Sequence, residues 1–126
     1  MTTWRQLFAL FLTLGLLSGC GPDGPALGEV SGTVTRDGRP LDGATVIFQP
    51  ELGKASFGRT DQEGRYELRY SKDSKGAIVG RHVVEVRLAG DSTPIEPLPP
   101  RYNTQTELTA DVKKGRNQVD FELHSE

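Results

Sequence analysis

The sequence contains few of the residues from which catalytic and metal sites are usually built. Its 126 residues include one cysteine, two histidines and one tryptophan. One cysteine excludes an intrachain disulfide, and the sequence has neither a His-Glu-x-x-His nor a Gly-x-Ser-x-Gly motif. His82 lies on the apolar side of a predicted strand, which favours a packing role, and His124 lies in a predicted C-terminal tail. We therefore expect no catalytic residues, no bound metal, no cofactor and no enzymatic activity.

Charge of one sign is not in excess either. Lys and Arg number 15 and Asp and Glu number 17, which gives a formal net charge of −2. The basic cluster of Lys113, Lys114 and Arg116 surrounds Gly115, which is typical of a solvent-exposed hairpin tip. Because no basic stripe is formed, we do not expect nucleic acid as a partner.

The longest apolar run, residues 7–17, is too short to span a membrane. As a helix it would extend about 16 Å, roughly half of the hydrocarbon thickness of a bilayer. Preceded by Arg5, it has the size of a signal-peptide core. Leu17, Ser18, Gly19 and Cys20 follow, and this order of one aliphatic residue, two small residues and cysteine resembles a bacterial lipobox. The resemblance implies recognition of Leu17, Ser18 and Gly19 by a signal peptidase and lipid modification, including palmitate, of Cys20.

These features divide the chain into three predicted parts. Residues 1–19 form a lipoprotein signal peptide, residues 20–28 hold the lipidated Cys20 and a flexible linker rich in glycine and proline, and residues 29–124 form one domain. The expected partner is a membrane, bound through the lipid, and the expected location is the bacterial cell envelope rather than the cytoplasm. The alternative is an ordinary secretory signal in which the cysteine is incidental.

From Glu29 onward the apolar residues recur with a period of two, which predicts strands with one apolar and one polar face. The predicted strands are residues 30–35, 44–49, 65–70, 81–88, 107–112 and 118–123, with a short seventh strand near 55–60 placed by Phe57. No helical period is evident. We therefore predict an all-β fold, a single antiparallel seven-strand β-sandwich.

Turn and core residues complete this prediction. Asp37-Gly38 and Asp42-Gly43 supply positive φ angles for tight turns, and residues 114–117 are predicted to join the last hairpin. The predicted core consists of the apolar residues on one face of each strand: Val30, Val34, Val46, Phe48, Tyr66, Leu68, Val84, Val86, Leu108, Val112, Val119, Phe121 and Leu123.

Two ordered segments resemble carboxypeptidase regulatory-like domains. The first is Val-Ser-Gly-Thr-Val at residues 30–34 with Asp-Gly-Arg-Pro-Leu-Asp-Gly-Ala-Thr-Val at 37–46, and the second is Thr-Asp-Gln-Glu-Gly-Arg-Tyr at 60–66. In the second, Asp61 is expected to accept from nearby backbone N–H groups, and Gly64 to adopt the left-handed conformation. The resemblance implies a transthyretin-like sandwich that acts as a non-catalytic accessory domain.

The predicted functional surface is the proline-rich loop at residues 91–103. Four prolines stiffen it, and its apolar residues have no obvious core face, so the candidate binding residues are Ile95, Leu98, Arg101, Tyr102 and Asn103. The alternative is a rigid crossover between sheets. Two functions remain open: a lipid-anchored, non-catalytic module that binds an envelope protein or glycan, and a structural envelope lipoprotein with no dedicated ligand.

Overall fold

The computed structural model describes residues 24–88 and 98–126. The predicted lipobox residues Leu17, Ser18, Gly19 and Cys20, and Ile95 of the predicted loop, lie outside the described residues. Within the described part of the chain, no helix is long and apolar enough to cross a membrane.

The regular secondary structure of the described chain consists of strands and one turn of 3-10 helix. The elements are β1 (Leu27–Arg36), β2 (Arg39–Pro40), β3 (Ala44–Pro50), β4 (Ser56–Arg59), β5 (Arg65–Glu67), β6 (Arg69–Ser71), β7 (Ser74–Lys75), β8 (Ala77–Ile78), β9 (Gly80–Leu88), η1 (Pro100–Tyr102), β10 (Leu108–Val112), β11 (Arg116–Gln118) and β12 (Phe121–Leu123). Every predicted strand segment therefore contains a strand, although two of them are divided. The first strand begins at Leu27, two residues before the predicted domain start.

Two sheets pack face to face, and the prediction of an all-β sandwich is confirmed. The first sheet is organised around β1, which pairs with β2, β5 and β8 in antiparallel orientation and with β11 and β12 in parallel orientation. The second sheet has the order β10-β9-β3-β4-β6-β7 and is antiparallel throughout.

The predicted last hairpin is wrong. β10 ends at Val112 in the second sheet, whereas β11 begins at Arg116 in the first sheet, so the connecting turn crosses between sheets. Asn117 holds this crossover, because its Nδ2 donates to the carbonyls of Glu29 (2.9 Å) and Lys113 (2.8 Å). The period of two fixes which face of a strand is buried, but it does not fix which strand lies beside it.

The core forms between the two sheets and matches the predicted set closely. Of the predicted residues only Leu108 and Val119 are partly exposed, and both still pack against the core. The sequence pattern missed the following buried apolar residues: Leu41, Ala77, Leu98 and Tyr102. All buried apolar side chains of the described chain lie between Val30 and Leu123. A chain that starts at Gly21 therefore keeps every one of them.

The turn that precedes β5 follows the predicted chemistry. Asp61 Oδ1 accepts from the backbone N–H groups of Glu63 and Arg65, both at 2.9 Å, and Gly64 has a φ of 77°. The hydrogen bond from the N–H of Arg65, aided by that of Glu63, holds the pKa of the Asp61 carboxyl below its usual value. This local arrangement directs the chain into β5, where Tyr66 enters the core.

Candidate functional site

The described part of the predicted binding loop is packed rather than exposed. Leu98 is 8% and Tyr102 7% exposed, so the expectation that they lack a core face is wrong for both. The Tyr102 hydroxyl accepts from the N–H of His124 at 2.9 Å, and Asn103 Nδ2 donates to the carbonyl of Val86 at 3.3 Å. Apolar residues in a proline-rich segment show no period, which is why the pattern gave them no face. These contacts support the packed segment of the alternative interpretation, but its crossover between sheets is wrong, because the segment joins β9 and β10, neighbouring strands of the second sheet.

Arg101 belongs to the same packed arrangement. Its guanidinium lies 4.7 Å from the centre of the Tyr102 ring and donates to the backbone carbonyls of His124 and Glu126. Ser125 donates its N–H to Asp37 Oδ1 at 3.0 Å, and these bonds hold residues 124–126 against the domain. The hydrogen bond from the Ser125 hydroxyl lowers the pKa of Asp37. The predicted binding residues at 101–103 therefore stabilise the structure of this region.

His82 has the predicted packing role. It is 1% exposed on β9, its Nε2 lies 2.7 Å from the carbonyl of Ile78, and its ring centre lies 5.5 Å from that of Phe48. No set of three or more His, Cys, Asp or Glu side chains within residues 24–88 and 98–126 is arranged to hold a metal ion.

A different surface brings functional side chains together, on the outer face of the second sheet. Ile47 on β3 is paired in register with Phe57 on β4, and Phe57 with Arg69 on β6. Two residues away on the same two strands, Thr45 on β3 is paired with Arg59 on β4. Register partners on neighbouring strands share a face, so these side chains form one patch. The short strand predicted around Phe57 is present, but Phe57 points outward and is 51% exposed.

The position of Leu68 sets where the remaining side chains of this surface lie. β5 ends at Glu67 in the first sheet and β6 begins at Arg69 in the second, so the chain changes sheets at Leu68. The Leu68 side chain is fully buried and its N–H donates to the carbonyl of Val30 at 2.9 Å. This fixed crossing brings Glu67, Arg69 and Tyr70 to the edge of the patch, where they line a groove with Phe57.

Two contacts position basic side chains within the groove. Lys54 Nζ lies 4.5 Å from the centre of the Tyr70 ring, a cation–π distance. Arg69 Nη1 donates to the backbone carbonyl of Lys72 at 3.3 Å. Both contacts leave the positive charge uncompensated, because neither partner is a carboxylate.

The groove is strongly positive. It is lined by Lys54, Arg59, Arg69 and Lys72, and among the described residues none of these four has a carboxylate within ion-pair distance. Glu67 also lines the groove, but its Oε2 lies 3.7 Å from Lys75 Nζ, and that contact partly compensates its charge. An anion that enters the groove would therefore meet cations whose charge is not already neutralised.

The size of the groove suits a small ligand or one unit of a polymer. Its volume is about 650 Å³, within the range of roughly 300–1,000 Å³ that is typical of ligand sites. Arg59 and Arg69 present planar guanidinium groups that can each bind a carboxylate through two hydrogen bonds. Phe57 and Tyr70 offer ring surface for the apolar face of the same ligand.

This groove was not predicted from the sequence. One signal was present, since Phe57 and Arg59 are two residues apart on one strand and must share a face. The meeting of that strand with Arg69 depends on the change of sheets at Leu68, and no local pattern announces it. The sequence analysis used Phe57 only to place a short strand and did not assign its side chain to a binding surface.

Comparison with known proteins assigns no family to this chain. No family model and no curated protein matches the sequence. Among solved structures, the chain is similar to a DUF3823 family protein from Parabacteroides merdae, with a TM-score of 0.48 and 15% identity. The match covers 79% of this chain and 47% of that one, so this chain spans about half the length of its structural neighbour. Function is therefore inferred from the residues of this chain alone.

Proposed function

We propose that the protein is a lipid-anchored, non-catalytic module of the bacterial cell envelope that binds an acidic glycan in the groove. The lipobox-like residues 17–20 support the anchor. The resemblance of residues 30–66 to carboxypeptidase regulatory-like domains supports an accessory role without catalysis. The observation that carries the binding role is the groove, in which four cations that have no carboxylate within ion-pair distance among the described residues surround exposed aromatic surface.

The chemistry of the groove favours a carboxylated sugar over a neutral ligand. A uronic acid carries a carboxylate and a ring with an apolar C–H face in one small unit. Arg59 and Arg69 suit the carboxylate, and Phe57, half exposed between Ile47 and Arg69, suits the ring face. A neutral sugar would leave the cations without a partner and would gain only the aromatic contact.

Binding of an acidic oligosaccharide is the first testable consequence. We expect the chain from Gly21 to bind oligogalacturonate with shifts of backbone NMR signals in β4 and β6. Arg59→Ser and Arg69→Ser should each weaken binding at least about tenfold, because a hydrogen bond to a charged group contributes about 1.5–3 kcal/mol. Titration followed by NMR or calorimetry measures both effects.

Two controls define the outcome of that titration. Arg39→Ser removes the same charge from exposed strand β2, away from the groove, and should leave the affinity unchanged. Neutral dextran fragments of similar length should not bind. Equal losses for Arg39→Ser and Arg59→Ser would show a nonspecific charge effect, and no saturable binding would favour the structural lipoprotein without a dedicated ligand.

The anchor has its own test. We expect the protein in the membrane fraction to begin at a lipid-modified Cys20, measured by intact mass spectrometry. Two or more acyl chains hold a protein on a membrane almost permanently, because each buried methylene contributes about 0.8 kcal/mol. Cys20→Ser should therefore move the protein into the soluble fraction, while Ser18→Ala, which keeps a small residue before the cysteine, should stay anchored. Equal partitioning of the parent and Cys20→Ser proteins would contradict lipidation.

A further inference from the structure

Several chain segments meet at the end of the sandwich where β1 begins, which we call the β1 end. Leu27 is paired with Ile78, and the N–H of Val79 donates to the carbonyl of Ala26 at 3.0 Å. The N–H of Glu29 donates to the carbonyl of Gly115 at 2.8 Å. The β1 end therefore carries the emerging N-terminal chain, the turn before β9 and the turn between β10 and β11.

The turn between β10 and β11 makes the β1 end basic. Lys113, Lys114 and Arg116 are all exposed there. Glu29 is the register partner of Arg116, but Lys113 and Lys114 have no carboxylate within ion-pair distance among the described residues. Arg81 lies on the adjacent strand, in register with Asp111. Uncompensated positive charge therefore remains at the two lysines.

The same end carries an exposed leucine. Leu52 is 86% exposed, the highest value among the exposed large apolar side chains of the described residues. It lies on the loop after β3, and this loop contacts the turn before β9. A Cβ built on Gly53 would lie only 2.6 Å from Cδ1 of Ile78. Leu52 is thus held at the β1 end beside the segment that contacts Leu27.

The chain that leads to Cys20 is short compared with the sandwich. Ala26 is fixed by its hydrogen bond to Val79, and six residue steps separate it from Cys20, a reach of at most about 22 Å. β1 has 10 residues and extends about 33 Å. If Cys20 carries lipid, as proposed above, the β1 end stays within about 22 Å of the membrane surface, a distance shorter than β1 itself.

We propose that the β1 end docks on the surface of an anionic phospholipid membrane, with Leu52 inserted at the headgroup boundary and Lys113 and Lys114 over the headgroups. This orientation rests on the proposed lipid at Cys20, which would keep the β1 end close to the membrane. The docking surface itself is made by described residues and needs no lipid on the protein. Each basic residue near an anionic surface should raise the partition coefficient about fivefold, and salt should weaken the binding.

Vesicle binding tests this surface independently of the anchor. The chain from Gly21 lacks Cys20, and it contains no tryptophan, because the one tryptophan of the sequence is Trp4. Leu52→Trp therefore supplies a single fluorescent probe at the β1 end. We expect a blue shift with vesicles that contain phosphatidylglycerol, quenching by brominated lipid, and little response to pure phosphatidylcholine vesicles. Glu63→Trp, on the turn at the opposite end, should show neither change.

Charge variants supply the matched comparison in cosedimentation with phosphatidylglycerol vesicles. Lys113→Ser/Lys114→Ser should reduce the partition coefficient about 25-fold. Arg39→Ser/Arg65→Ser removes the same charge from exposed side chains at the opposite end and should change it less than twofold. Equal losses in the two double variants, or an unshifted Leu52→Trp emission, would overturn the docking proposal. Neither result would affect glycan binding, which the oligogalacturonate titration measures separately.

Discussion

Gly32→Ala is expected to lower the free energy of unfolding by about 3 kcal/mol or more, at the upper end of the usual cost of overpacking a core. A Cβ on Gly32 would lie 1.9 Å from the backbone oxygen of Val119 and 2.6 Å from its carbonyl carbon. Both contacts are with backbone, so no flexible side chain can move aside. A stability of 5–15 kcal/mol is typical of a domain of this size, and the change would remove a large fraction of it.

The absence of a side chain at Gly32 has a structural reason. β11 and β12 both pair with β1, but the chain between them departs from the regular pairing at Val119. The carbonyl of Val119 therefore lies over Gly32, where it accepts from the Tyr66 hydroxyl at 2.5 Å. Burial, aided by the charge of Asp120, raises the pKa of Tyr66, which keeps this hydroxyl a donor. Alanine would push the carbonyl away and break the bond.

Thermal and denaturant unfolding of the chain from Gly21 measures this effect. Ser31→Ala is the matched control, because Ser31 is an exposed neighbour on the same strand and its backbone contacts, such as the bond from the N–H of Val119 to its carbonyl at 2.9 Å, do not depend on its hydroxyl. It should change stability by less than about 0.5 kcal/mol. Similar unfolding curves for Gly32→Ala and Ser31→Ala would contradict the close approach of the two backbones.

Local rules account for the features that the sequence predicted correctly. Alternation of apolar residues identified the strands, because the period of two is a property of each strand alone. Turn chemistry identified positive φ angles at Asp37 (53°), Gly38 (85°) and Gly43 (78°), because these depend on a few adjacent residues. Alternation did not indicate which face of the short strand around Phe57 is buried, because the buried position is occupied by the small polar side chain of Ser56.

The groove depends on contacts between distant parts of the chain. Arg69 reaches Phe57 only because the predicted strand at 65–70 divides at Leu68 and joins both sheets. Tyr102 is buried because η1 folds back onto the sandwich and accepts a bond from His124. Neither event leaves a periodic signal, so the sequence placed the candidate binding surface on the proline-rich loop and not on the second sheet.

The two proposed surfaces can act at the same time. The groove lies mainly on the outer face of the second sheet, beside β4 and β6, and approaches the docking surface at Lys54, which lies two residues from Leu52 on the loop after β3. A face that runs along the strands stays open when the end of the strands contacts lipid. A membrane-docked domain would therefore present the groove sideways, toward a polymer that extends along the membrane surface.

Gly64→Ala is expected to lower the melting temperature by roughly 10–20 °C, the second large effect on stability. Gly64 has a φ of 77°, where a side chain costs about 1–2 kcal/mol. Its Cβ would also lie 2.6 Å from the carbonyl oxygen of Val34 and 3.3 Å from the nitrogen of Leu41. These two atoms are hydrogen-bonded to each other at 3.0 Å, so the methyl group would be forced against an existing bond.

Gly38→Ala separates the two causes of that loss. Gly38 has a similar φ of 85°, but a Cβ there would meet no atom within 4 Å. We expect it to lower the melting temperature by about 5–10 °C, the effect of the left-handed backbone alone. Calorimetry of both variants in the chain from Gly21 gives the difference directly. Equal shifts would mean that the Val34–Leu41 bond tolerates the added methyl group, whereas an unchanged melting temperature for Gly64→Ala would contradict the turn at residues 61–65.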